Sequence, residues 1–372
     1  MPHRVSLEVD IDKLEKNFKT ILERVSPAQV MAVVKADAYG LGVQKIAPAL
    51  KNAGASFFGV ADINEALEIA HFNLPVQVLG NLFADEIAEA VKIDLICPLN
   101  DFKSASRINA EAARQNKVVR GALTIDSGMG RIGMVADSAF DEIVKIKNEL
   151  KNIEIFGIYS HFATSGKIND DYTLTQMQKL QCLYGKLKDA GILIPYIYIA
   201  ASGGIANYQQ SYSAPFNLVR AGITMYGYCD SWQLEETVQM KARLISVREL
   251  PANSSIGYNR LHTLSKKSLV GTIGAGYADG IPLALSNCGH VLVNGIKCPI
   301  VGRISMDYTT ILLDDVPDAE VGDEVVLFGR QHDSELSIRQ WTEKKGTHLH
   351  DILCGIGNRV KRIYKYNGAK ND

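Results

Sequence analysis

The chain has 372 residues, of which 47% are hydrophobic and 22% are charged, and its 40 Lys and Arg against 41 Asp and Glu give a net charge of −1. This composition excludes a mainly disordered chain, a collagen-like chain and a disulfide-stabilised mini-protein. A net charge so near zero gives no electrostatic footprint for nucleic acid or an anionic membrane, so we expect a small-molecule enzyme or binder. At roughly 150 residues per domain, or about 250 for an α/β barrel, the length predicts two domains.

Cysteine spacing and apolar segments bear on metals, disulfides and location. The six cysteines include no CxxC pair, so the sequence predicts neither a zinc site nor a disulfide framework. No apolar signal core follows the first residues, and the uncharged stretch 190–219 is broken by Pro195 and by residues 202–204 before it could span a bilayer. We therefore expect a cytoplasmic protein without a bound metal.

The first two-thirds of the chain alternates between helical and strand-like segments. Apolar residues recur at helical spacing over 10–25, behind Asp10 as a candidate N-cap, and the apolar segment 29–34 is typical of a buried strand. Further helices are predicted at 42–53 and 63–71, and further strands at 57–60, 76–79, near 95, 122–125, 155–159 and 197–200, with 219–226 ending the series. Eight or nine β/α repeats predict a closed (β/α)8 barrel of the TIM type over residues 1–236.

The pattern changes after residue 236. Later segments are short, rich in β-formers and separated by Gly, Pro and Asn, and a helical period returns only at 336–345. Strands are predicted at 238–247, 269–273, 290–293, 309–313 and 324–328. We therefore predict an α/β chain in which the N-terminal barrel is followed by a mostly β C-terminal domain over residues 237–372.

Lys35 stands directly after the first predicted barrel strand, where the chemistry of such a barrel is expected. An amine at the end of an apolar strand is poorly solvated, which lowers its pKa and makes it nucleophilic. By position alone, an ion pair with Asp37 is the commoner explanation. However, the stretch 32–40 closely resembles the pyridoxal-phosphate lysine motif of the alanine racemases, although Asp37 and Leu41 stand where that motif usually has Asn and His.

Six further blocks resemble the same family and occur in the family's order. They are residues 126–133, 157–163, 217–227, 251–258, 276–280 and 301–307. One such block is a weak signal, whereas seven in order along the whole chain are specific, and the chain is identified as a member of the fold-type III amino-acid racemases. The resemblance implies a barrel followed by a β domain, and a head-to-tail homodimer whose subunits share active sites for a small amino-acid substrate.

The resemblance also implies pyridoxal 5′-phosphate as the cofactor and two catalytic residues. Lys35 would hold the cofactor covalently and act as acid/base on one face of the substrate, and Tyr258 from the partner subunit would act on the other. The other cofactor-binding residues that the family implies are Tyr39, Arg131, His161, Ser202, Arg220, Gly222 and Ile223. The implied substrate-binding residues are Arg131, Met306, Asp307, Asn358 and Tyr277.

Arg220 and His161 allow different degrees of certainty about their roles. Arg220 would face the pyridine nitrogen, and because arginine keeps its proton at ordinary pH, it would leave that nitrogen unprotonated and the ring a weaker electron sink. An acidic residue there would favour a decarboxylase of the same architecture, and a non-enzymatic cofactor carrier would lack the second domain. For His161, a buried histidine with satisfied hydrogen bonds is an equally good explanation.

Several positions depart from the family pattern. Thr124 stands where a carbamylated lysine is common, so Arg131 loses its usual anionic partner. A buried arginine without a counter-charge is costly, and we therefore predict a chloride or an ordered water beside Arg131. The other departures are Leu283, Gly166, Tyr198 in place of His, and Ala201 in place of Asn.

Asn358 stands where the common alanine racemases have a tyrosine near the substrate methyl group. Asparagine leaves room for a hydroxymethyl group and can hydrogen-bond it, which resembles the serine racemases of vancomycin-resistant bacteria. We therefore predict an isomerase that interconverts L- and D-serine and L- and D-alanine by two-base proton transfer, with a role in peptidoglycan precursors and antibiotic resistance. The alternatives are a dedicated alanine racemase that supplies D-alanine for the cell wall, a broad-specificity racemase of basic amino acids and, for location, the cytoplasmic domain of a membrane-anchored protein.

Overall fold

The computed structural model describes residues 3–229, 231–366 and 369–371, and the chain divides into two compact units. The barrel unit comprises residues 13–38 and 43–236, and the β unit comprises the residues before 13 together with 39–42 and those from Thr237 onwards. The main segment of the β unit thus begins at residue 237. The N-terminal residues and the segment 39–42 also lie in it, although the sequence assigns both to the barrel.

Eight parallel strands form the closed barrel, as the sequence predicts. After β1 (Val5–Asp10), the strands are β2 (Gln29–Val33), β3 (Phe57–Val60), β4 (Val76–Val78), β5 (Cys97–Leu99), β6 (Val119–Asp126), the short β7 (Met134–Val135) beside β6, β8 (Ile153–Tyr159), β9 (Tyr196–Tyr198) and β10 (Leu218–Ala221). The helices are α1 (Ile11–Val25), α2 (Lys35–Gly40), α3 (Val43–Asn52), α4 (Ile63–Ile69), α5 (Ile87–Lys92), α6 (Phe102–Arg114), α7 (Ala139–Glu149), α8 (Asp171–Asp189) and α9 (Ser202–Asn207).

The strand pairing shows how the barrel closes. One parallel sheet contains β10, β2, β3 and β4, and another contains β5, β6, β8 and β9. A parallel bridge between Gln77 and Ile96 links the two sheets at one seam, and at the other the N–H of Arg220 donates to the C=O of Ala200 at 3.0 Å. Arg220 lies opposite Met31 in the register of β10 with β2, so the C-terminal ends of these two strands lie side by side.

Aspartates fix the beginnings of several barrel helices. Asp62, Asp101 and Asp170 each accept a hydrogen bond from the N–H three residues later, at 3.0, 2.6 and 2.9 Å, which satisfies a donor that the helix cannot. These caps set where each loop at the C-terminal end of a strand gives way to its helix. Within the described ranges, no helix combines the length and apolarity needed to cross a bilayer.

The β unit is a largely antiparallel sheet in which β1 takes part. Its strands are β11 (Val238–Leu250), β12 (Ser255–Ile256), β13 (His262–Thr263), β14 (Ser268–Ile273), β15 (His290–Val293), β16 (Ile296–Pro299), β17 (Thr309–Leu312), β18 (Glu324–Gln331), β19 (Ser334–Leu336), β20 (Lys361–Tyr366) and β21 (Ala369–Asn371). Two helices, α10 (Arg339–Lys345) and α11 (Leu349–Cys354), precede β20. β1 pairs antiparallel with β11 and parallel with β20, which explains why the N-terminal residues belong to this unit.

Candidate active site

The chain after Lys35 forms a turn of left-handed helix. The strand β2 ends at Val33, and φ then lies between 52° and 63° at the four residues from Ala36 to Tyr39. Left-handed helix costs an L-residue roughly 1–2 kcal/mol because Cβ approaches the following carbonyl, so other groups must hold this turn. Lys35 itself is exposed in the chain, which differs from the desolvated amine that the sequence predicts.

Two carboxylates stabilise the left-handed turn. The Oε1 of Glu65 accepts from the N–H of Ala36 at 2.7 Å, while its Oε2 accepts from the N–H of Ala61 at 2.7 Å. The Oδ1 of Asp37 accepts from the N–H of Val43 at 2.7 Å. Glu65 was not among the predicted site residues, although its place three residues after the N-cap Asp62 is a recognisable signal.

Arg220 lies buried near the end of β10, with 4% of its surface exposed. Its Nη2 donates to the C=O groups of Ser160 and Ile199, the latter at 2.9 Å. Its Nε is buried and finds no hydrogen-bond partner among the residues that the structure describes. Burial lowers the pKa of the guanidinium, but arginine still keeps its proton. The site therefore holds a charged donor that an acceptor from outside the chain would satisfy.

Hydroxyl and backbone N–H groups gather after β9 and β10. Ser202 begins α9, and its Oγ accepts from the N–H of Gly222 at 3.2 Å and from that of Thr224 at 3.3 Å. Ile223 begins the short 3-10 helix Ile223–Tyr226. Backbone N–H groups in such turns are suited to a phosphate, which agrees with the predicted roles of Ser202, Gly222 and Ile223. Thr224 was not predicted and takes part in the same cluster.

His161 follows β8 among three cationic residues. Its pKa falls to about 3, first because it is largely buried and then because Arg220, Arg131 and Lys35 are positively charged. Its ring makes no hydrogen bond to any residue within the described ranges, so the alternative of a satisfied core histidine finds no support. No group of three or more His, Cys, Asp or Glu in that part of the chain could hold a metal ion.

Arg131 lies in a glycine-rich turn that a carboxylate organises. The Oδ1 of Asp126 accepts from the N–H of Gly128 at 2.8 Å and of Gly130 at 3.1 Å. Burial raises the pKa of Asp126, but these backbone donors outweigh it and hold the pKa below its ordinary value. The side chain of Arg131 is exposed, so the prediction that it is buried without a counter-charge is wrong for the chain by itself.

The remaining predicted residues lie in the β unit. Tyr258 is 68% exposed, and Tyr277, Met306 and Asn358 are also exposed. Tyr39, in contrast, is buried with its ring centre 5.5 Å from that of His350.

An ion-pair cluster that the sequence analysis missed lies beside Asn358. Arg359 donates to both carboxylate oxygens of the buried Asp279, at 2.7 and 2.9 Å, and pairs with Asp307 at 2.7 Å. These hydrogen bonds raise the pKa of Arg359. The cluster fixes the backbone next to Asn358 and occupies Asp307, whose predicted role is substrate binding.

Comparison with known proteins identifies the family. Residues 9–230 match the model of the alanine racemase N-terminal domain, and residues 237–364 match that of the alanine racemase C-terminal domain. The chain belongs to the alanine racemase family. The family depends on pyridoxal 5′-phosphate, and the unpartnered Nε of Arg220 and the donors around Ser202 fit that cofactor's pyridine nitrogen and phosphate.

Relatives and solved structures match this family member along nearly its whole length. Alanine racemase 2 of Caldanaerobacter subterraneus subsp. tengcongensis is 37% identical over 100% of this chain and 97% of its own, and the alanine racemase of Halothermothrix orenii is 36% identical over 96% of each. The structure of alanine racemase from D-cycloserine-producing Streptomyces lavendulae has a TM-score of 0.91 at 28% identity, covering 99% of this chain and 98% of that one. The Bartonella henselae alanine racemase, with covalently bound pyridoxal phosphate, has a TM-score of 0.88 at 30% identity, covering 98% and 100%. These relatives are alanine racemases and lend no support to a special closeness to the serine racemases of vancomycin resistance.

Proposed function

We propose that this alanine racemase family member interconverts L- and D-alanine with pyridoxal 5′-phosphate, the dedicated activity that the sequence left as an alternative. The observation that carries the proposal is the buried, unpartnered Nε of Arg220 at the end of a barrel that also presents Lys35, His161 and the donors around Ser202. A relative of similar fold, the alanine racemase of Bacillus anthracis, has been solved with bound L-Ala-P. D-alanine made in this way would serve the cell wall.

Lys35 and Tyr258 would move the protons. When bound, the cofactor supplies an electron sink for the charge left on the α-carbon once its proton is removed. The Nζ of Lys35 would exchange a proton on one face of that carbon, and the hydroxyl of Tyr258 would exchange one on the other. Arg220 would donate its Nε–H to the pyridine nitrogen, and His161, with its pKa at about 3, would remain neutral beside it at physiological pH.

A homodimer with shared sites would bring Tyr258 to its place. Tyr258, Tyr277 and Met306 are large side chains that the β unit leaves largely exposed, which is unusual for groups with a role in a buried reaction. A head-to-tail dimer would cover them by placing each against the barrel of the partner. Each site would then combine Lys35 of one subunit with Tyr258 of the other.

Serine is a second candidate substrate because of Asn358. The side chain is exposed beside Arg359, and its amide could bond a serine hydroxyl that a methyl group cannot offer. A chloride near Arg131 also remains a proposal. It has less support than before, because Arg131 is exposed and the hydroxyl of Thr124 already donates to the Tyr159 hydroxyl at 3.2 Å.

The decisive experiment is an interconversion assay on purified protein with alanine, serine, lysine and arginine, each tested from both enantiomers. We expect alanine to be racemised with the highest kcat/KM. Lys35→Ala should abolish the activity and also the mass increase that borohydride reduction of the cofactor-loaded protein produces. Lys45→Ala, at an exposed lysine on α3, is the matched control and should retain both. Absence of racemisation with all four amino acids would refute the proposal.

A further inference from the structure

Two stacked tyrosine rings lie against Arg220 in the interior of the barrel. The rings of Tyr159 and Tyr198 are parallel to within 5°, and their centres are 5.1 Å apart. The guanidinium carbon of Arg220 lies 5.2 Å from the centre of the Tyr159 ring and 5.6 Å from that of Tyr198. All three side chains are buried. We call this pair of rings the aromatic clamp.

Hydrogen bonds fix the two rings of the aromatic clamp. The hydroxyl of Tyr198 donates to the Oε1 of Gln77 at 2.7 Å, on the opposite side of the barrel sequence from Arg220. The hydroxyl of Thr124 donates to that of Tyr159 at 3.2 Å. Burial raises the pKa of both phenols, so both remain protonated and neutral. The clamp therefore has little freedom to turn and brings no negative charge to the guanidinium.

The printed contacts of Arg220 include no carboxylate. Its Nη2 is bonded to two backbone carbonyls, and the electron-rich faces of the clamp offset its charge by a cation–π interaction, which is stronger when desolvated. A carboxylate would have neutralised the guanidinium and competed for its N–H groups. Ring faces leave the full charge in place and do not engage the Nε, which has no bond to any described residue.

We propose that Tyr198 is a positioning residue, which with Tyr159 holds the charged guanidinium of Arg220 so that its Nε–H stays available to the cofactor's pyridine nitrogen. This rests on the proposed function. An undiminished positive charge next to the pyridine nitrogen opposes its protonation and so keeps the ring a weak electron sink. The specific consequence is suppression of amino-group transfer, in which alanine and the cofactor aldehyde become pyruvate and the cofactor amine. That exchange balances without an external oxidant, because the nitrogen moves to the cofactor while the oxygen moves to the keto acid.

The test compares two variants of the clamp with a control on the same strand. Tyr198→Leu removes the ring, whereas Tyr198→Phe keeps the ring and removes only the bond to Gln77. Tyr196→Leu is the control, because Tyr196 is also on β9 but packs against Phe57 and Phe156. Three quantities are measured on each holoenzyme: pyruvate released per racemisation event, the pH midpoint of the visible absorbance of bound cofactor, and the dissociation constant of the cofactor.

For Tyr198→Leu we expect about tenfold more pyruvate per racemisation event and a shift of the absorbance midpoint by about one pH unit, since one unit of pKa changes the protonated fraction tenfold. Tyr198→Phe should lie close to the wild type, and Tyr196→Leu should match it in both quantities. A Tyr198→Leu protein that merely loses activity, with an unchanged pyruvate ratio and midpoint, would overturn the proposal.

Two further outcomes keep the inference separate from folding and from the proposed function. If Tyr198→Leu does not fold, Tyr198→Met takes its place with the same expectations, and an unchanged midpoint there counts against the clamp. If the wild type binds the cofactor but racemises none of the four amino acids, the proposed function fails, while the absorbance midpoint still decides whether Tyr198 acts on Arg220.

Discussion

The barrel unit and the β unit present their predicted site residues in opposite ways. In the barrel, Arg220 is buried and Ser202 is held by backbone donors, so their positions are set within one chain. In the β unit, Tyr258 and Met306 are exposed. The difference teaches that the barrel residues are built to bind a group inside one chain, whereas those of the β unit are available to a second body.

The two units also differ in how their cations are balanced. Lys35, Arg131 and Arg220 all act on His161 and lower its pKa, and no acidic group opposes them there. Arg359 in the β unit is instead bonded to Asp279 and Asp307. The cation-rich end of the barrel is therefore the part suited to an anionic cofactor and a carboxylate substrate, and the Arg359 cluster is a structural support.

The strongest test of the comparison mixes two inactive proteins. Lys35→Ala and Tyr258→Phe should each lower kcat by about 10²–10⁴-fold, the usual contribution of a positioned acid/base. After unfolding and refolding the two together, hybrid dimers would contain one site with both native residues, and about a quarter of the wild-type activity should return. The activity of the mixture is followed with alanine as a function of mixing ratio.

Mixing separates shared sites from sites made within one chain. If each chain supplied both residues to its own site, every site in the mixture would still lack one of them, and no activity would return. A refolded mixture of Lys35→Ala with itself controls for activation by refolding.

A smaller effect is expected at Asn358. In Asn358→Tyr, kcat/KM on serine should fall about 10–100-fold more than kcat/KM on alanine, because one pocket contact is worth about 1–3 kcal/mol. Equal losses on both substrates would show that Asn358 does not select between them. Lys361→Ala, at the start of β20 and exposed, is a control outside the pocket.

A still smaller effect is expected from loosening the left-handed turn. Glu65→Gln replaces one of two accepting oxygens with an NH₂ group, which leaves a backbone N–H without its partner and should cost about 1–3 kcal/mol of unfolding free energy. Glu68→Gln on the same helix is the control, since Glu68 accepts only a 3.4 Å side-chain bond from Gln44. Urea denaturation of both variants measures the difference, and equal stabilities would show that Glu65 does not hold the turn.

The smallest predicted effect concerns pH. Unfolded His161 takes up a proton near its ordinary pKa of 6.5, whereas the folded protein resists protonation of His161 until about 3. The unfolded state thus binds more protons between these values, so the contribution to stability is present above pH 6.5 and is lost as the pH falls towards 3. Between pH 7 and 5 the Tm should fall further in the wild type than in His161→Gln, and parallel losses would contradict the assignment.

Local patterns predicted the barrel well because each β/α repeat is encoded by its own residues. The apolar segment 29–34 and the caps at Asp62 and Asp101 carry signals within a few positions, and the structure confirms the barrel. The strand β1 gave no such signal, because its partners β11 and β20 lie more than 200 residues away. Pairing over that distance depends on the folded whole.

The site was predictable in its residue types but less so in its environments. The apolar residues around Arg220 indicated burial correctly, whereas Arg131 was expected to be buried and is exposed on its glycine-rich turn. The aromatic clamp could not be foreseen, since Tyr159 and Tyr198 meet only when β8 and β9 pair. Arg359 was missed because its two carboxylates lie 80 and 52 positions earlier in the chain.

The left-handed turn has a consequence for which residues its positions can accept. Ala36 and Ala38 have φ near +52°, a conformation that suits the mirror image of an L-residue better than the residue itself. Glycine would be accepted there at little steric cost, while valine or isoleucine would clash with the backbone. A D-alanine introduced at position 36 by chemical synthesis would relieve that conflict. The segment next to the lysine thus favours, in its own backbone, the mirror-image configuration of the amino acid that we propose the protein produces.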